Sequence, residues 1–256
     1  MTDCRQFLLG MVTSALAATL ATSPSIAQSE SRASEPRAVI ELFTSQGCSS
    51  CPAADKLLGE LSQDPSLVAI SVAVDYWDYL GWQDTLAIPG HSRRQKAYSQ
   101  VRGDREVYTP QVIVNGTVQA LGNDRGAIER AILASRYNNT AALSLPVTMT
   151  IDNGKLTVNA PAGKSDTTGA EVWLCPLSKA VPVAIGRGEN SGKTVTYHNV
   201  VRRWVKLGVW TGKAESWSIP VSDIKTEGVD AAAVVLQSGK AAAPGTMLGA
   251  AFASLN

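Results

Sequence analysis

Apolar and polar positions follow two regimes along this chain, with a change near residue 141. In the first regime, "AVIELF" (Ala38 to Phe43) is an almost unbroken apolar run that predicts a buried strand, and the turn "TSQG" follows it. A helix is expected from about Ser49 to Leu61, with Leu57, Leu58 and Leu61 at helical spacing. "SLVAISVAVD" (Ser66 to Asp75), entered through the breaker Asp64-Pro65, predicts a second buried strand and hence a parallel crossover. "HSRRQKAYSQVR" (His91 to Arg102) has the composition of a surface-facing helix. "QVIVNGTVQAL" (Gln111 to Leu121) reads as two short strands around the hairpin signal Asn115-Gly116. "DRGAIERAILASR" (Asp124 to Arg136) predicts a helix capped by Asp124, with Ile128, Ile132 and Leu133 on one face. The predicted order is β-α-β-α-β-β-α.

From about Ala141 the runs shorten and alternate, as in "LSLPVTMTIDNGKLTVNAPAG", "AEVWLCPLSKAV" and "TVTYHNVVRRWVKLGVW", with Gly, Pro, Asn and Asp between them. Asn153-Gly154 marks a hairpin there, and residues 141–256 are expected to form an all-β sandwich. The first 27 residues stand apart. Arg5 precedes an apolar run from Phe7 to about Ala21, and Ser25-Ile26-Ala27 fits a small-x-small cleavage site, so 1–27 reads as an export signal that carries Cys4 with it. That run is shorter than the roughly 20 residues of a spanning helix, so no membrane span is expected after cleavage. The expected plan is a signal at 1–27, a linker at 28–37, an α/β domain at 38–138 and the sandwich at 141–256, in a periplasmic or secreted protein.

Composition narrows the function by exclusion. The chain of 256 residues is 45% hydrophobic and carries a net charge of +1 with both signs dispersed, so it has no electrostatic footprint for nucleic acid. Cysteine says more. Past the signal, Cys48, Cys51 and Cys175 remain, and an oxidising compartment favours one pair with one thiol left over. A C-x-x-C loop is too short to constrain much of the unfolded chain, which weakens a structural-staple reading of Cys48 and Cys51.

The pair falls between the first strand and its helix, where C-x-x-C beside a βαβ pattern reads as a thioredoxin-like redox motif. Unpaired N–H groups and the positive end of the helix dipole there stabilise a thiolate. Cys48 is the candidate nucleophile and Cys51 the resolving thiol, with Pro52 suited to the first helical turn. Thr109-Pro110 enters the hairpin strand; a proline there in this fold class is typically cis and faces the dithiol, and Thr109 would offer backbone groups to an extended substrate. The alternative is a proline that simply opens an edge strand. Glu41 is a carboxylate in an apolar strand, read either as a proton relay for Cys51 or as a residue pointing into solvent.

"VIELFTSQGCSSCPAADKLL", "VDYWDYLGW", "RQKAY", "YTPQVIVNG" and "IGRGENSGKTVTYHNVVRRW" together resemble a family of exported bacterial proteins with a thioredoxin-like domain and no established function. The resemblance implies a thioredoxin-like fold with a Gly-Cys-x-x-Cys-Pro dithiol and a Thr-Pro loop, and no particular substrate. Gly47 stands where thioredoxins carry Trp, and the stretch from Tyr76 to Pro89 is an insertion, so thioredoxin's substrates do not transfer. Within it Tyr76, Trp77, Tyr79 and Trp82 suit either a binding rim beside the dithiol or a contact with the second half. Asp75 and Asp78 are possible partners of Arg93 or Arg94.

"GRGENSGK" (Gly186 to Lys193) is no phosphate loop: Gly188 leaves three residues before Gly192 and Gly186 leaves five, where four are needed. His198 and Cys175 read as packing residues. The leading expectation is an exported thiol-disulfide oxidoreductase without a cofactor, acting on protein thiols or disulfides or on a small thiol. Two alternatives stay open. In one, the cysteines bind Cu or Zn with His91 or His198; in the other, the domain is a scaffold and the sandwich binds.

Overall fold

A computed structural model describes residues 36–163 and 169–255; the expected signal at 1–27 and most of the expected linker lie outside them. Strand β1 (Ala38–Thr44) and strand β2 (Leu67–Ala73) are buried along their whole length, as their two-sided apolar runs require. They pair in parallel, Ala38 opposite Leu67 through Thr44 opposite Ala73. Helix α1 (Cys51–Leu61) crosses between them, starting two residues later than its periodicity suggests, with Pro52 in its first turn. Helix α2 (Pro89–Arg102) precedes strands β3 (Gln111–Val114) and β4 (Val118–Leu121), and helix α3 (Arg125–Tyr137) follows them. β3 lies antiparallel to both β1 and β4.

Local chemistry explains the joints. Asn115 (φ 49°) and Gly116 (φ 78°) both adopt the left-handed region, as a tight hairpin of this type demands. A Cβ on Gly116 would lie 2.3 Å from the Gly245 carbonyl oxygen, so the chain also needs glycine there to approach its second half. Asp124 caps α3 by accepting from Ala127 N at 2.9 Å. Ile128 and Ile132 are buried, whereas Leu133, expected on the same face, is 69% exposed. α2 also departs from expectation. His91, Arg94, Gln95, Tyr98 and Ser99 are buried despite their polarity, each with at least one hydrogen bond inside the protein: to Ala73 O, Glu41, Tyr108 O, Glu41 and Lys96 O in turn.

The two faces of β1 diverge. Ile40 and Leu42 pack under α1 and α3 with Ala54, Leu58, Ile128 and Ile132. Val39 and Phe43, on the other face, join Tyr98 of α2 and residues of the second half, including Leu177, Val235 and Met247.

The second half is mostly strand, but its strands do not stand apart as a separate sandwich. Strands β5 (Thr148–Asp152), β6 (Lys155–Ala160) and β10 (Glu215–Pro220) form a small three-stranded sheet. Strands β7 (Ala170–Ala184), β8 (Thr194–Val201), β9 (Val205–Trp210), β11 (Ala231–Lys240) and β12 (Ala243–Ser254) belong to the same sheet as β1. The strand order is β12-β11-β7-β8-β2-β1-β3-β4, with β9 also on β7. The joint is one parallel pair, Ser71 with Val200. β7 makes it possible: over 15 residues, its first part carries β9 and β11 and its last part carries β8 past them. The sheet curls so far that Met247 N reaches Asn115 O at 3.0 Å, although β12 and β3 lie near opposite ends of the order. The small sheet covers the outer face, packing Leu156 and Val158 on Val172, Leu174, Val234 and Leu236. The protein is a mixed α/β fold with one large mixed sheet and one small one.

Candidate active site

The dithiol sits where β1 ends. Cys48 and Cys51 are joined by a disulfide, with Cα atoms 5.4 Å apart, and both are buried. The turn before them is tightly held. Gly47 N donates to Ser45 Oγ at 3.1 Å, Cys48 N to Ser45 O at 3.2 Å, and Cys51 N to Cys48 O at 3.2 Å. Ser50 Oγ lies 3.4 Å from Cys48 Sγ. Gly47 gives its neighbour room, since a Cβ there would crowd the Trp77 Cβ at 3.0 Å.

The insertion wraps this turn. Trp77 Nε1 donates to Thr109 Oγ1 at 2.8 Å, tying the insertion to the Thr109-Pro110 bond, which is cis. Thr109 N and O make no hydrogen bond among the described residues. Trp82 Nε1 donates to Gln46 Oε1 at 2.8 Å, and its ring packs with Ile185, Val195 and Tyr197 of the second half, so Trp82 serves as a contact between the halves. Tyr76 is half-buried, and desolvation holds its hydroxyl at about 12. Tyr79 is exposed.

The loop from Gly186 to Lys193 reaches back over the dithiol. Asn190, fully buried, donates through Nδ2 to Gln46 O at 3.0 Å and to Cys48 O at 2.8 Å. Lys193 Nζ steadies it by donating to Asn190 Oδ1 at 2.9 Å. Glu189 Oε2 accepts from Ser49 N at 3.1 Å, placing a carboxylate on a backbone N–H inside the C-x-x-C turn. The sequence holds no local signal for this contact, which spans 140 residues.

Glu41 is buried and does not point into solvent. It lies between Ile40 and Leu42 in sequence, hence on the sheet face away from α1 and Cys51. There it accepts from Arg94 Nε at 2.7 Å and from Tyr98 OH at 2.5 Å. Arg94 also donates to Tyr98 OH at 2.6 Å and Gln237 Oε1 at 2.9 Å. Asp75 instead accepts from Ser92 Oγ, and Asp78 from Asp84 N, so neither pairs with Arg93 or Arg94.

A buried carboxyl on the dithiol's side of the sheet is Asp55, one helical turn beyond Cys51 on α1. Neither of its oxygens makes a hydrogen bond among the described residues. Desolvation pushes its proton affinity well above the usual carboxylate range, and Asp84 nearby pushes the same way, against a weaker opposing effect of Thr44. Asp84 is itself raised by burial while it accepts from Gln46 N at 2.8 Å.

The histidines do not approach the cysteines. His91 donates from Nδ1 to Ala73 O at 2.9 Å on the α2 side, and burial drives it down to about 4. His198 packs on α1 at Gly59, where a Cβ would lie 2.6 Å from its ring. No group of three His, Cys, Asp or Glu side chains is gathered for a metal among the described residues. Cys175 is buried in β7, and desolvation raises its thiol. No helix among the described residues is long and apolar enough to cross a membrane.

No curated protein matches the chain. A protein of Agrobacterium tumefaciens solved by X-ray crystallography is 32% identical, with a TM-score of 0.74 over 85% of this chain and 94% of that one. The family described as "Protein of unknown function (DUF1223)" matches residues 39–237, a span running from β1 through the Cys48–Cys51 turn, the 186–193 loop and most of β11. The chain belongs to that family.

Proposed function

We propose that this protein is an exported thiol-disulfide oxidoreductase whose thioredoxin-like portion spans residues 38–138. The observation that carries the reading is the Cys48–Cys51 disulfide, placed between a buried parallel strand and the first turn of its crossover helix. In the reduced protein the Cys48 thiolate attacks a substrate disulfide, forming a mixed disulfide and expelling one substrate thiolate. The Cys51 thiolate then attacks Cys48 Sγ, which regenerates the internal disulfide and releases the second substrate thiolate. The reverse sequence oxidises a substrate dithiol. Thr109 leaves its backbone groups to an extended substrate, and Tyr76 and Trp77 frame that approach while Trp82 holds the two halves together behind it. Protein thiols or disulfides, or a small thiol, are the substrate classes.

Thiol trapping across a glutathione redox buffer tests this directly. Cys48 and Cys51 are expected to interconvert reversibly between dithiol and disulfide, and Cys51→Ala to accumulate mixed disulfides through Cys48. A pair that stays oxidised at every buffer ratio, or a Cys51→Ala protein that captures nothing, sinks the reading.

Glu189 bears on the direction of electron flow. A carboxylate on Ser49 N opposes the helix N-terminus where the Cys48 thiolate would be stabilised, and so favours the disulfide. Glu189→Gln keeps an acceptor and removes the charge. The equilibrium with glutathione is expected to move toward the dithiol by roughly two- to fivefold, since the pair is exposed and screened. Loss of that difference in high salt is part of the prediction; a shift toward the disulfide contradicts it.

A further inference from the structure

On the α2 side of the large sheet, away from α1, a cavity of about 490 Å³ opens beside α2. That volume is in the range of about 300–1,000 Å³ typical of small-molecule sites. Trp173 and Trp204 line it with indole, Ala241 with a methyl group, Arg93 and Lys96 with positive charge, and Arg94 with a guanidinium that Glu41 neutralises. We propose that this cavity is a binding site for a small monocarboxylate with an aromatic or alkyl body.

The cationic end is built into the fold. Arg94 is only 9% exposed, and its guanidinium is fixed by Glu41 at Nε and by Tyr98 and Gln237 at Nη2. Its third nitrogen, Nη1, has no partner among the described residues, and Arg94 lines the cavity. A donor left free at a cavity wall is available to an acceptor there, and a carboxylate supplies one in the geometry a guanidinium prefers. Arg93 and Lys96 are exposed and enter no ion pair among the described residues, so they add uncompensated charge at the rim.

The apolar end is equally preset. The guanidinium carbon of Arg94 lies 4.2 Å from the Trp204 ring centroid, and the Trp173 and Trp204 rings meet edge to face at 6.4 Å. Glu171 fixes the wall: it accepts from Trp173 Nε1 at 3.2 Å and Ala241 N at 3.0 Å, while Lys206 at 2.6 Å neutralises it. The nearby carboxylate therefore does not repel an anion.

The test is calorimetric titration of the full exported protein with 3-phenylpropionate, its neutral counterpart 3-phenylpropanol, decanoate and acetate, followed in parallel by tryptophan fluorescence. Binding of 3-phenylpropionate or decanoate is expected at least about tenfold tighter than that of the alcohol or of acetate. Arg93→Ala with Lys96→Ala, both at exposed positions, is expected to weaken the carboxylates about tenfold and leave the alcohol unchanged. Trp204→Phe should remove most of the fluorescence response. Equal binding of acid and alcohol, no binding of either long acid, or carboxylate binding indifferent to the double variant overturns the proposal. The redox reading is untouched by any of these outcomes, because Cys48→Ser with Cys51→Ser should bind the carboxylates as the parent does.

Discussion

Glu41→Ala is expected to destabilise the fold by about 3–5 kcal/mol, because it leaves the Arg94 guanidinium buried without its counter-ion. In a domain of this size that lowers Tm by roughly 10 °C, measurable by calorimetry or circular dichroism. Tyr98 adds to the loss. Its hydroxyl donates to Glu41 and accepts from Arg94 and Gln237, so removing the carboxylate breaks a network that spans β1, α2 and β11. The same substitution separates two roles for Glu41. Losing a proton relay for Cys51 would slow the dithiol's exchange with glutathione, whereas losing a structural ion pair on the opposite sheet face leaves that exchange rate within about a factor of two of the parent's. A large redox change with little loss of stability would return Glu41 to the catalytic side.

That distinction marks where the sequence was readable. Apolar runs on β1 and β2, the left-handed pair Asn115-Gly116 and the Asp124 cap are local instructions, and each produced the element it predicts. Partner choice is not local. Alternation in residues 170–184 says strand, but nothing in it says that β8 will carry the chain to β2 through Ser71 and Val200, so a separate sandwich was the natural expectation. Likewise a carboxylate in an apolar strand announces burial, while its counter-ion lies 53 residues away on a helix that reads as surface-facing. Composition misjudged α2 because polar side chains are buried at low cost when paired, and pairing is a property of the fold. The dithiol was legible from four residues and their position, and the loop that bonds to it from Asn190 and Glu189 was not. Asp55 was within reach: it lies four residues past Cys51, polar on the helix face that Leu58 buries.

Asp55→Asn is expected to slow the resolution of a Cys48 mixed disulfide about a hundredfold near neutral pH, the usual scale for losing a positioned acid-base group. Cys51 must shed a proton before it attacks Cys48 Sγ, and it is buried where water cannot take that proton freely. Asp55, one turn away, has a proton affinity lifted well above the usual carboxylate range by desolvation and by Asp84, which suits it to take a proton. The stability effect has the opposite sign. A carboxyl whose folded pKa is raised holds its proton more tightly in the native state, so its contribution is most favourable below the unfolded value of about 3.9 and is lost as pH rises toward the folded one. Asparagine does not titrate, so the variant gains stability relative to the parent steadily from pH 4 upward while losing turnover. Denaturant unfolding at pH 4, 6 and 8, alongside quenched-flow trapping of the mixed disulfide, reads both effects on one protein. A variant that resolves its mixed disulfide at the parent's rate, with the expected pH-dependent gain in stability, would make Asp55 a buried strain with no part in proton transfer.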